Sequence, residues 1–191
     1  MRHTSVEVPP GTCYGQTDVP LKNTFPREAQ AVQRALALYG PCDEAYTSPL
    51  SRCIRLADYC GYPHARRDNR LLEINFGAWE MQLYDRIKDP RLQQWYDDYW
   101  HVAPTGGEPF TDQLLRVRAF LAELSAAPRR SVVLFTHAGV IACVRILLQL
   151  NRPEDAFNAL PPYGSVQAVS IASGQNLPLP QHLLTPPSAS V

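Results

Sequence analysis

The stretch SVVLFTHAGVIACVRILLQL, residues 131–150, decides the fold. Ser131 to Thr136 is a continuous apolar run, the pattern of a strand covered on both faces. From about Val140 to Leu150 the pattern becomes helical. Between them stands Thr136-His137-Ala138-Gly139. A strand that feeds a helix through a polar turn is half of a βαβ unit. Open parallel sheets bind ligands beyond the C-terminal ends of their strands, which is where this turn falls.

The same grammar recurs upstream. Glu44 to Thr47 reads as a short strand and Leu50 to Tyr59 as the helix after it. Arg27 to Tyr39 is helical, with Val32, Ala35, Leu36 and Tyr39 on one face. Asn23 and Thr24 are its cap candidates, and Pro26 suits a first turn. Phe110, Leu114, Val117, Leu121 and Leu124 form one stripe of a helix from about Glu108 to Ser125. A last strand is expected at about Ser165 to Ile171. The alternation predicts an α/β fold: three layers, a mainly parallel sheet and helices on both faces. Gly77 to Pro104 is rich in Trp and Tyr and reads either as a helical lid or as local core.

The chain has 191 residues and zero formal net charge. That length suits one domain. Zero charge argues against a nucleic-acid coat, which usually needs a basic excess. Of 18 basic residues only Lys22 and Lys88 are lysines, and the planar arginine fork suits phosphate and carboxylate. The five cysteines include no C-x-x-C pair, which predicts a reducing compartment rather than a disulfide frame. No apolar run approaches the ~20 residues of a bilayer span. The expectation is a cytoplasmic protein, monomer or homodimer, with neither membrane nor nucleic acid as partner. Residues 173–191, SGQNLPLPQHLLTPPSASV, carry four prolines and no charge. They predict an irregular tail after a domain over 1–172.

Ser48-Pro49-Leu50-Ser51-Arg52 follows one strand and Thr136-His137-Ala138-Gly139 another, and Arg2-His3-Thr4 would follow a first strand for which the sequence leaves no room. No H-x-H, H-E-x-x-H or Cys/His ligand spacing occurs, so neither a metal nor a cofactor is expected. Two histidines and two arginines without metal suggest an anion pocket. Neutral imidazole is a nucleophile, a bidentate arginine holds phosphoryl oxygens, and a helix N-terminus past His137 adds N–H donors.

These segments, with Arg70–Glu80 (RLLEINFGAWE) and Gly106-Gly107-Glu108 in the same order over residues 1–150, resemble the histidine phosphatase superfamily, which contains the cofactor-dependent phosphoglycerate mutases. Residues 10–21, PGTCYGQTDVPL, resemble its alpha-ribazole phosphatase branch. The resemblance implies a metal-independent phosphomonoesterase acting through a phosphohistidine, with alpha-ribazole 5′-phosphate as substrate. The alternatives are another small phosphomonoester, a mutase, or a non-catalytic phosphate-binding module. It makes His3 the nucleophile, Arg2 and Arg52 the phosphate ligands, His137 the second histidine and Glu73 the proton donor. Gln16 and Thr17 are candidate phosphate donors or plain turn residues. Glu80 is the second candidate acid or a helix-start carboxylate beside Trp79. His64, His101 and His182 match no family position and are expected at the surface. Family members begin with an apolar strand before the Arg-His pair. Only Met1 precedes Arg2 here, so the first central strand is expected to be cut short, and a chain extended by apolar residues is expected to be more stable and active. Ala138, Met81 and Pro109 stand where the family commonly has Gly, Gly and Ser.

Overall fold

The computed structural model describes residues 1–126, 131–158 and 160–183. Its elements are α1 (Phe25–Ala37), β1 (Glu44–Thr47), α2 (Ser51–Tyr59), β2 (Arg66–Arg67), α3 (Arg91–Asp97), α4 (Phe110–Ala126), β3 (Val132–Phe135) and α5 (Ala138–Leu147). The three strands are parallel in the order β2-β1-β3, with Glu44 to Thr47 of β1 in register with Val132 to Phe135 of β3.

The unbroken apolar run of β3 serves two cores at once. Val133 and Phe135 pack with α1 and α2 on one face. Val132 and Leu134 pack on the other against the cluster formed by α4 and α5. β1 does the same, with Ala45 toward the first cluster and Tyr46 toward the second. Successive side chains of a strand point to opposite faces. Helices therefore cover both faces, the expected three-layer arrangement.

The second edge of β3 is occupied by Met1–His3. Thr136 donates its N–H to the Met1 carbonyl and His3 donates to the Thr136 carbonyl, both at 3.0 Å, and Arg2 forms a parallel bridge with Thr136. The first strand is thus reduced to a bridge, as expected. The strand expected over Ser165–Ile171 does not form. Among the described residues the chain there makes backbone bonds only at its start, where Arg2 donates to the Ser165 carbonyl, Gly164 to the His3 carbonyl and Ser165 to the Pro162 carbonyl. With the neighbouring edge only three residues long, the rest finds no ladder to join.

Several helix ends also differ from expectation by two or three residues. α1 stops at Ala37 because Gly40 takes a left-handed φ of 77°, which leaves Tyr39 exposed. α5 begins at Ala138, two residues earlier than expected, which brings the Gly139 N–H into its first turn. The aromatic stretch is local core. Trp79, Trp95 and Trp100 are buried, and Trp95 meets Phe76 and Trp79 edge to face, each at 5.9 Å. Leu177, beyond residue 172, is buried in the same cluster, and its carbonyl accepts from Arg118 Nε. His64 and His101 are exposed. Residues 184–191 and the His182 side chain lie outside the described residues.

Candidate active site

The ends of β1, β3 and the Met1–His3 segment bring together His3, Arg52 and His137, all buried, with Arg2 beside them. His3 Nδ1 lies 2.8 Å from the Thr4 carbonyl oxygen. A carbonyl only accepts, so Nδ1 carries the proton and Nε2 keeps its lone pair. Burial, reinforced by the charges of Arg52 and Arg2, lowers the His3 pKa to about 3 against a backbone contact that opposes it. The imidazole is therefore neutral at any ordinary pH. His137, its ring centre 5.2 Å from that of His3, contacts the Ser48 hydroxyl through Nε2 at 2.8 Å. Burial, then Arg52 and His3, push its pKa well below the usual histidine range.

The arginines are held by neutral groups. Arg52 donates from Nη2 to the Gly15 carbonyl at 2.6 Å and from Nη1 to the Thr17 carbonyl at 2.9 Å. Arg2 donates from Nη1 to the Pro161 carbonyl at 2.6 Å and lies 3.8 Å from the Tyr163 ring centre. Among the described residues neither forms an ion pair, and the Nε of each is buried without a protein partner. Buried donors of this kind are costly unless an acceptor comes to them. A phosphate-like anion satisfies both the charge and the donors.

Glu73 is anchored at the rim. Its Oε2 accepts from the Gly139 N–H at 3.2 Å, and its Oε1 from Gln113 Nε2 and from the Ile74 N–H, both at 3.0 Å. The first turn of α5 thus points an N–H at the carboxylate. Behind it, Arg116 donates to the carbonyls of Arg70, Leu72 and Glu73 and pairs with Glu108. That network fixes the 70–73 backbone.

Glu80 sits elsewhere. It accepts from the N–H groups of Gln16, Thr17 and Phe76 and from the Thr17 hydroxyl. Burial pushes its pKa up, but the Thr17 hydroxyl and the three N–H groups outweigh this and leave it below the ordinary value. Gln16 Nε2 donates to the Glu73 carbonyl. The Thr17 hydroxyl and the Gln16 amide are thus engaged by the protein itself here. Glu80 closes a short 3-10 turn over Gly77–Trp79 rather than opening a helix.

Several contributors escaped the sequence reading. Gln113 carried one signal, being a polar residue inside the apolar stripe of α4, where it is fully buried. Tyr14 and Tyr163 carried none: their hydroxyls meet at 2.5 Å across 149 positions of chain, above Arg52 and Arg2. Among the described residues no cluster of three or more His, Cys, Asp or Glu side chains is placed to hold a metal.

A neutral imidazole facing unpaired guanidinium groups at the strand ends of a parallel sheet defines an α/β protein suited to phosphoryl groups. The chain belongs to the histidine phosphatase superfamily (branch 1), whose family model matches residues 1–178. It is 30% identical over 90 residues to the adenosylcobalamin/alpha-ribazole phosphatase of Escherichia coli (strain K12), a match covering 45% of this chain and 44% of that protein. The chain spans less than half the length of the curated relatives it matches. Among solved structures it is similar to a mycobacterial glucosyl-3-phosphoglycerate phosphatase, with TM-score 0.71, 28% identity and coverage of 85% of this chain and 84% of that one. It is also similar to a phosphoglycerate mutase from Thermus thermophilus, with TM-score 0.65, 33% identity and coverage of 85% and 87%.

Proposed function

We propose that this protein is a metal-independent phosphomonoester hydrolase whose substrate is alpha-ribazole 5′-phosphate. The observation that carries the phosphohistidine reading is the bond from His3 Nδ1–H to the Thr4 carbonyl, which leaves Nε2 as the nucleophile. Arg2 and Arg52 draw the phosphate dianion to it and stabilise its equatorial oxygens as charge builds. Nε2 attacks phosphorus, the ester P–O bond breaks, and the leaving oxygen takes a proton from Glu73. Water then attacks the phosphohistidine, Glu73 removes its proton, and phosphate leaves as the P–N bond breaks. Every group begins the next cycle as it began the first.

The substrate is supported by the likeness of residues 10–21 to the alpha-ribazole phosphatase branch and by the Escherichia coli relative. The mycobacterial neighbour is named for a different phosphomonoester, so the decisive experiment is a panel. Phosphate release is measured from alpha-ribazole 5′-phosphate, glucosyl-3-phosphoglycerate, 3-phosphoglycerate and sugar phosphates, with and without a chelator. The highest kcat/KM is expected for alpha-ribazole 5′-phosphate, unchanged by the chelator. Acid-labile phosphate should be trapped on the wild-type chain and absent from His3→Ala. Full turnover by His3→Ala would remove the mechanism. A clear preference for another ester would replace the substrate alone.

A further inference from the structure

The Glu80 carboxylate is engaged far beyond what a turn requires. It gathers the Gln16 N–H at 2.9 Å, the Thr17 N–H at 2.5 Å, the Phe76 N–H at 3.1 Å and the Thr17 hydroxyl. Arg52 grips the same loop from the opposite side, through the Gly15 and Thr17 carbonyls. The two grips share a peptide group. The Gly15 carbonyl accepts from Arg52 while the N–H of that same amide, on Gln16, donates to Glu80. An amide bonded at both ends to opposite charges is polarised, and each bond strengthens the other.

The loop can make this approach only because residue 15 is glycine. A Cβ there would stand 1.8 Å from the Ile74 carbonyl oxygen and 3.1 Å from Glu80 Oε1. Glu80 forms no ion pair with Arg52 among the described residues, so its influence passes through the backbone.

We propose that Glu80 is a positioning residue for phosphate capture, acting on Arg52 through the Gly15–Gln16 amide and Thr17. It fixes the two carbonyls that occupy one side of the Arg52 fork. The remaining donors, the buried and unpartnered Nε among them, are then aimed at the incoming anion. This rests on the phosphate-handling reading of the site and assigns Glu80 a part in binding rather than in proton transfer.

The test is a double-mutant cycle with Glu80→Gln and Arg52→Lys, read with p-nitrophenyl phosphate as substrate and inorganic phosphate as inhibitor. Glutamine keeps the shape but has a single oxygen to offer four donors. Alone it should raise KM and the phosphate Ki ~10-fold, with a smaller change in kcat. In the Arg52→Lys background, where the fork is gone, the further loss should be under about threefold. A wild-type KM and Ki in Glu80→Gln, or a full loss in both backgrounds, would overturn the inference and leave the phosphatase reading intact. A wild-type chain that neither hydrolyses the ester nor binds phosphate would sink that reading and the inference with it. If Glu80→Gln does not fold, Thr17→Val removes one of the four contacts and must show the same non-additivity with Arg52→Lys.

Discussion

Gly139→Ala separates the chemistry of this site from its stability. Gly139 lies in the first turn of α5, with its N–H on Glu73 Oε2. A Cβ at this position would sit 2.4 Å from Glu73 Oε1 and 2.8 Å from Gln113 Oε1, where ordinary contact begins near 3.4 Å. Both obstructing atoms end flexible side chains, so they can retreat, and the carboxylate must do so by roughly 1 Å. Misplacement of a reacting group by that amount costs on the order of 100-fold in rate. Stability moves little. Alanine is favoured over glycine in a helix by up to ~1 kcal/mol, which offsets part of the roughly 1.5–3 kcal/mol lost with one N–H to carboxylate bond. A Tm within a few degrees of wild type is expected. The assay is single-turnover formation of the phosphoenzyme. An alkyl phosphomonoester should react ~100-fold more slowly, because in the proposed mechanism its alkoxide takes the Glu73 proton. p-Nitrophenyl phosphate, whose leaving group needs no proton, should lose less than about tenfold. Equal rates for wild type and variant on the alkyl ester would refute the placement of Glu73 as proton donor.

The His3 imidazole takes a proton near pH 6.5 when unfolded and resists protonation to about 3 when folded. The unfolded chain therefore binds more protons in that window, and His3 makes stability fall as pH drops from 6.5 toward 3. Urea midpoints should decline more steeply between about pH 7 and 4 in wild type than in His3→Asn, and parallel lines would contradict the burial of His3. Tyr163→Leu removes the ring 3.8 Å from the Arg2 guanidinium and should weaken phosphate inhibition about two- to fivefold, with Tyr163→Phe near wild type. Equal Ki values for the two variants would discount the cation–π contact. Ser48→Ala strips buried His137 of its hydroxyl partner. The unsatisfied imidazole should cost ~1–3 kcal/mol, a Tm drop of several degrees by calorimetry. An unchanged Tm would mean that Cys53, its Sγ 3.6 Å from Nε2, takes over.

What was legible in the sequence was what a short window carries. β3 and α5 could be read because apolar runs and helical stripes are local, and Arg52 and His137 because each abuts such an element, whereas His3 has only Met1 and Arg2 before it and was legible through the resemblance of the Arg-His pair. The strand expected at Ser165–Ile171 failed because strand formation depends on a neighbouring edge, and no window around residue 165 reports that Met1–His3 covers so little of β3. Glu80 was misread for a related reason. Its place beside Trp79 suggested a helix start, whereas its partners Gln16 and Thr17 lie more than sixty positions away. The Tyr14–Tyr163 contact is longer in range still.

The arginine excess gains meaning only from such long-range partners. Arg70 faces Asp68 and Glu123, and Arg116 faces Glu108. Their charges are neutralised where they stand, and they serve the fold. Among the described residues Arg2 and Arg52 pair with no carboxylate; they donate to carbonyl oxygens and lie against the rings of Tyr163 and Tyr14. Carbonyls orient a guanidinium without cancelling its charge, so the positive field of these two is preserved for an anion. Glu80 is the carboxylate that completes this division. Placed one amide away from Arg52 rather than against it, it fixes the geometry of the fork without occupying its phosphate-facing donors. A carboxylate in direct contact with Arg52 would hold the arginine as firmly and abolish its use. The zero net charge of the whole chain is thus compatible with a strongly positive pocket, because what the pocket needs is the separation of its charges by peptide groups, not an excess of one sign.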